Sequence, residues 1–225
     1  MLKWLRMRHY WSILISQVIL LFLSAFLGGH FIISILFIIC LLGVFGSVIE
    51  TIWEKRLPRI LALISGLAAV FGGLLHYIPG LPLYEIIEGL LLCTVSYAVF
   101  IMIAIIAISR YVFFTDRITA DRVIGSICIY MLIGMFFSFV YAAMALSMDS
   151  SFALQGMPPR AEATGLADFI YFSYATLTTI GYGDMIPIHP ITKMTSVLEG
   201  VTGCVYLAIM VARLVGMHVT QSKQH

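Results

Sequence analysis

Thr176-Leu177-Thr178-Thr179-Ile180-Gly181-Tyr182-Gly183-Asp184 interrupts two long apolar blocks near the end of the chain. At ordinary residue frequencies, a chance T-x-G-Y-G-D in a chain of this length is roughly a one-in-ten-thousand event. Gly181 and Gly183 carry no Cβ, so each can enter left-handed dihedrals that other residues resist. Left-handed residues at alternate positions turn successive carbonyl oxygens toward one axis instead of to opposite sides. The carbonyls of Thr179, Ile180, Gly181 and Tyr182 would then form stacked oxygen rings, and the Thr179 hydroxyl would add an innermost one. Ile180 and Tyr182 would point away from the axis. A plain Gly-Tyr-Gly turn explains neither the paired threonines nor the position of the motif.

Just upstream, Ala167–Thr178 reads as a short helix with Asp168 in its first turn, a favourable place for an acid. Such a helix is too short to cross a bilayer, so a chain that enters the membrane here must return. Non-helical backbone at that depth is tolerated when it is buried in protein or lines water. Tyr171, Phe172 and Tyr174 either form an aromatic cuff around Tyr182 or are ordinary core aromatics. Asp184 is placed at the mouth, to bond the scaffold and attract cations.

The surroundings are a membrane sequence. Of 225 residues, 61% are hydrophobic and 11% charged, against about half and a quarter in soluble domains. Uncharged runs cover Tyr10–Gly29, Phe31–Ile49, Ile60–Tyr84, Gly89–Ser109 and Val123–Met148. Each reaches about 19 residues, enough for a helix across the hydrocarbon, and none alternates as a strand does. A sixth run, Ile191–Met217, carries Lys193 and Arg213 about 30 Å apart, at opposite faces, and leaves Glu199 inside. The start resembles a signal peptide, but its apolar run is long and has no clear cleavage site, so it is kept as the first span. Cys40, Cys93, Cys128 and Cys204 lie in the spans without metal-ligand spacing and read as packing residues.

Every Lys and Arg except Arg160 and Lys193 falls on one side of a six-span arrangement. Basic loops stay in the cytoplasm, so both termini are expected there, in a multi-pass protein of the cell (plasma or inner) membrane. Gly28-Gly29-His30 and Pro79-Gly80-Leu81-Pro82 supply outer turns. The expected organisation is a peripheral four-helix unit over 1–110, an interfacial linker over 111–122, a pore unit over 123–217 and a short tail over 218–225. The net charge of +2 is too small to suggest a nucleic-acid partner. No nucleophile–base set, metal cluster or phosphate loop suggests an enzyme, and no cofactor is expected beyond cations held by the carbonyl rings.

From Thr119 to His218 the chain resembles the potassium channel superfamily, and is similar to its prokaryotic members with a two-helix pore module. The resemblance rests on the Thr179–Asp184 motif, on Thr119-Ala120-Asp121-Arg122, on Tyr171-Phe172-Ser173 and on Val205-Tyr206-Leu207-Ala208-Ile209 with Arg213-Leu214-Val215-Gly216. Rings of backbone carbonyls are the established basis of selectivity in such filters. The resemblance implies an all-α integral membrane protein of six transmembrane helices plus a re-entrant pore helix and filter loop. One chain supplies one filter strand, so a closed ring implies a homotetramer about a central pore. It also implies passive potassium conduction, with Thr179, Ile180, Gly181, Tyr182 and Gly183 as filter and Thr178, Asp184, Tyr171 and Glu199 as support. Gly203 stands where such channels carry a hinge, and close helix packing is its other reading.

Glu199 either braces the filter from behind, through Thr176 or Thr178, or faces a water-filled cavity; the brace is preferred. Glu50 with Glu54 reads as surface ion pairing, Glu85 and Glu88 as acids at a helix start, and His189 as exposed near the mouth. Voltage-gated members carry a basic residue at every third position of their fourth helix, whereas nothing between Glu88 and Arg110 is charged here. Steep voltage gating is therefore not expected. The rival functions are a non-selective cation channel, which usually loses part of Gly-Tyr-Gly, a potassium-uptake transporter, which needs four non-identical loops, and a non-conducting subunit.

Overall fold

A computed structural model of the chain describes residues 2–24, 43, 56–75, 82–113, 120–148, 151–154 and 165–222. All of the second expected span but Gly43, the Gly28–His30 turn and most of the Pro79–Pro82 turn lie outside the described residues. Six helices and two short strands have their ranges among the described residues: α1 Leu2–Ser24, α2 Arg56–Leu75, α3 Leu83–Phe113, α4 Ala120–Ser147, β1 Phe152–Leu154, α5 Leu166–Leu177, β2 Met185–Pro187 and α6 Pro190–Ser222.

Among the described residues, three helices contain stretches long and apolar enough to cross a membrane: Ile86–Arg110, Arg122–Ser147 and Pro190–Arg213. Within α1 and α2 the apolar stretches are shorter, Tyr10–Ser24 and Arg59–Gly72. The helices overrun the uncharged blocks that foretold them. Helix α3 runs on to Phe113, and α4 starts at Ala120, before Asp121 and Arg122. Hydropathy changes where charges begin, but the i to i−4 hydrogen-bond ladder continues through a charged turn. The expected linker over 111–122 is thus helical at both ends, with 114–119 outside the described residues. Helix α2 begins at Arg56, four residues before the expected Ile60, because Pro58 sits in its first turn, where a missing N–H costs nothing.

Helix α4 is the hub of the bundle and packs against α1, α3, α5 and α6. Tyr10, Ile13, Gln17, Leu20 and Ser24 form the buried stripe of α1, at alternating spacings of three and four. This stripe meets α4, where the Gln17 amide donates to the Cys128 carbonyl at 3.5 Å. Helices α2 and α3 cross closely at Gly72, where a Cβ would stand 2.4 Å from the Gly89 carbonyl oxygen.

The fold is mostly helical, as the all-α expectation has it, with two three-residue strands added. They pair antiparallel, Phe152 with Pro187, Ala153 with Ile186 and Leu154 with Met185. This ribbon ties the chain after α4 to the chain just beyond Asp184. Ser151 extends the tie, its carbonyl accepting from Ile188 N–H at 2.9 Å and from the Thr192 hydroxyl at 3.1 Å. Beneath the ribbon, Phe152 packs on Tyr141, Phe169 and Phe172 with ring centroids 5.2 to 5.6 Å apart.

The Gly72 crossing gives a direct test. Gly72→Val forces side-chain atoms into backbone and should destabilise the α2–α3 pair by about 1–3 kcal/mol. A thermal melt of the detergent-solubilised protein should show the loss, and an unchanged melting temperature would contradict the crossing.

Candidate functional site: the loop after α5 and its support

Helix α5 is twelve residues long. Its start is fixed by Asp168, whose Oδ2 accepts the Gly165 N–H at 2.9 Å while the Gly165 carbonyl accepts the Asp168 N–H at 3.0 Å. Its other end must find donors for carbonyls that no longer have helical partners. The loop supplies them by folding back: the Ala175 carbonyl accepts from Ile180 N–H at 2.9 Å and from Gly181 N–H at 3.1 Å. Thr176 carbonyl accepts from Thr179 N–H at 3.0 Å, and the Thr178 hydroxyl donates to the Tyr174 carbonyl at 2.5 Å. The Leu177 carbonyl accepts from the Tyr130 hydroxyl of α4 at 3.1 Å.

The loop itself alternates. Thr179, Gly181 and Gly183 have φ of 61°, 57° and 77°, while Ile180 and Tyr182 between them do not enter that region. Gly181 and Gly183 were the residues singled out for left-handed backbone, and Thr179 is added by the structure. A β-branched residue at positive φ is rare and strained, and such strain gathers at functional sites. Ile180 and Tyr182 are 55% and 69% exposed in the single chain.

Asp184 is held rather than free. Its Oδ2 accepts from the Tyr171 hydroxyl at 2.8 Å, and its Oδ1 from Met185 N–H at 3.0 Å. Tyr171 also stacks on Tyr182, with centroids 6.1 Å apart and planes 8° from parallel. Of the three aromatics considered for a cuff, Tyr171 stacks on Tyr182. Phe172 is buried against Tyr141, and the Tyr174 hydroxyl donates to the Met131 carbonyl at 2.7 Å. His189 is half-buried at the start of α6, where its Nδ1 accepts weakly from Ile191 N–H at 3.3 Å.

Glu199 is fully buried. Its Oε2 accepts from the Tyr141 hydroxyl of α4 at 2.6 Å, and its Oε1 from the Ser173 hydroxyl of α5. Ser173 Oγ also lies 2.6 Å from the Gly134 carbonyl oxygen of α4. The carboxyl group therefore joins three helices behind the loop. The partners differ from the Thr176 or Thr178 expected, and the alternative of a side chain facing a cavity does not fit full burial. The reason is helical phase: Ser173 is one turn before Leu177 on the face of α5 turned to α4, whereas Thr178 is exposed.

Gly203 lies within the continuous helix Pro190–Ser222. A Cβ there would stand 2.6 Å from the Leu177 carbonyl oxygen. The structure accordingly gives it the close-packing role, letting α6 pass the end of α5. Four polar residues were missed as a set. Thr192, Glu199, Tyr206 and Arg213 recur every seven residues along α6, hence on one face. Each bonds the body of the chain: Thr192 and Glu199 as above, Tyr206 through its hydroxyl to the Ser126 carbonyl at 2.8 Å and Arg213 to the Val112 carbonyl at 2.7 Å. A seven-residue recurrence of polar groups on an apolar helix was the available signal.

Residues 127–219, a little under half the chain, match the family model described as ion channel. The matched segment contains most of α4, the ribbon, α5, the Thr179–Asp184 loop and nearly all of α6. The match supports an ion channel, and a channel rather than an enzyme, in keeping with the apolar helices of a membrane protein. No curated protein and no solved structure matches the chain.

The buried carboxyl yields a graded test. Glu199→Ala leaves Tyr141 and Ser173 without their acceptor and should cost about 1–3 kcal/mol. Glu199→Gln keeps the shape and one acceptor oxygen and should cost less. Thermal melts of the two variants should rank in that order; equal melting points for both variants and the parent would exclude the brace.

Proposed function

We propose that the protein is a potassium-selective channel subunit that conducts passively through a homotetrameric pore. The observation that carries the proposal is the left-handed backbone at Thr179, Gly181 and Gly183, which supports a stack of carbonyl oxygens from Thr179, Ile180, Gly181 and Tyr182. Dehydrated potassium needs oxygen ligands at little net cost, and a ring of carbonyl dipoles supplies them. Helix α5 ends at this loop, so its partial negative charge favours a cation there. The exposed apolar faces of the loop and of α6 suit burial by neighbouring copies about a closed axis. Thr178, Asp184, Tyr171 and Glu199 then support the filter, and α6 lines the inner pore. The same reading places the protein in the cell membrane of a prokaryote with both termini in the cytoplasm. The region between Glu88 and Arg110 has no charge on which a membrane field could act, so conduction should depend weakly on voltage.

The deciding measurement is the reversal potential of the purified protein in planar bilayers under a potassium gradient opposed by sodium. A value near the potassium equilibrium potential is expected. A value near zero with clear current would make it a non-selective cation channel. Gly181→Ala, which puts a Cβ on left-handed backbone, should abolish selective current while the protein still assembles; retained selectivity in that variant would remove the basis of the proposal.

A further inference from the structure

Arg213 stands near the end of α6 remote from the filter loop, about 30 Å from Lys193 along the helix. It is half-buried, and its Nη1 donates to the Val112 carbonyl at 2.7 Å. Val112 belongs to the last turn of α3, whose carbonyls have no intrahelical donor and carry the helix's partial negative charge. The guanidinium also lies over the Phe113 ring, 5.0 Å from its centroid. Among the contacts of Arg213, this hydrogen bond and this ring contact clasp α6 to the end of α3. Two turns back, Tyr206 adds an edge contact to Phe113 at 6.3 Å and a stack on Tyr130 of α4 at 6.0 Å.

All these contacts pull this end of α6 in one direction, toward α3 and α4. Its other faces, with Val205, Ile209, Val211 and Val215, are exposed in the single chain. In a ring of subunits those faces meet neighbours and the axis. Releasing the clasp would therefore free the end of α6 to move inward.

We infer that Arg213 is a positioning residue that holds the remote end of the pore-lining helix away from the axis and so favours the conducting state; the inference rests on the channel function proposed above. Nothing in the clasp touches the filter, so it should govern how often the pore conducts and not which ion passes. Arg213→Lys keeps a cation at the α3 carbonyls but loses the planar fork, so it should act partway.

The test compares full-length protein with Arg213→Ala, Arg213→Lys and Phe113→Leu in reconstituted bilayers, alongside hydrogen exchange of segments 205–216 and 190–200. Arg213→Ala should lower open probability by about ten- to a hundredfold, the strength of one charge-assisted hydrogen bond. Its reversal potential should be unchanged, with Arg213→Lys and Phe113→Leu intermediate. Exchange should quicken over 205–216 and stay unchanged over 190–200. Wild-type or raised open probability in Arg213→Ala would overturn the inference, as would unchanged exchange over 205–216. Should the parent protein carry no potassium current, the channel function fails, and exchange by itself still decides whether Arg213 fixes this end of α6. If Arg213→Ala does not fold, Arg213→Lys and Phe113→Leu decide by the same measures.

Discussion

A helix that ends against the buried core leaves its last carbonyls without helical partners, and much of this architecture follows from how α5 meets that demand. Some carbonyls are satisfied by the loop folding back, through the N–H groups of Thr179, Ile180 and Gly181. The Leu177 carbonyl is satisfied from outside, by Tyr130 of α4. The first solution fixes the path of the chain into the Thr179–Asp184 loop. The second fixes α5 against the central helix. Gly203 completes the arrangement, because α6 can pass the Leu177 carbonyl only where no Cβ intervenes.

The support behind the loop is polar at its centre and aromatic around it. Glu199, Tyr141 and Ser173 link α6, α4 and α5 through one carboxyl group. A buried polar network specifies a single arrangement when it is satisfied and costs heavily when it is not. Phe152, Phe169 and Phe172 close over it with apolar area, and the β1–β2 ribbon holds that cover in register. The loop is thereby held by its base and its mouth, with Tyr171 bonding Asp184 and stacking on Tyr182. The side chains of Ile180 and Tyr182 remain exposed in the single chain.

Along α6 the same economy of contact recurs. A helix exposed on most of its faces is attached through one stripe, Thr192, Glu199, Tyr206 and Arg213. Attachment by widely spaced polar rungs gives directional bonds with little apolar burial. Such a helix is positioned by few contacts, and each of them carries a large share of its orientation.

The sequence by itself determined where the long apolar helices lie among the described residues and the place of the short helix before Thr179. Long uncharged runs and the spacing of Gly181 and Gly183 are local properties, and the physics that reads them is local too. It determined helix ends poorly, because hydropathy stops at charges such as Asp121 and Arg122 while backbone hydrogen bonding does not. Tertiary structure alone decided which face of each helix met which neighbour. That is why Glu199 bonds Ser173 and Tyr141 instead of Thr176 or Thr178, why Gly203 is a packing glycine, and why Phe152–Leu154 and Met185–Pro187 pair as strands. Each of these depends on bringing residues 26 to 58 positions apart into one shell, and no local pattern encodes such a meeting.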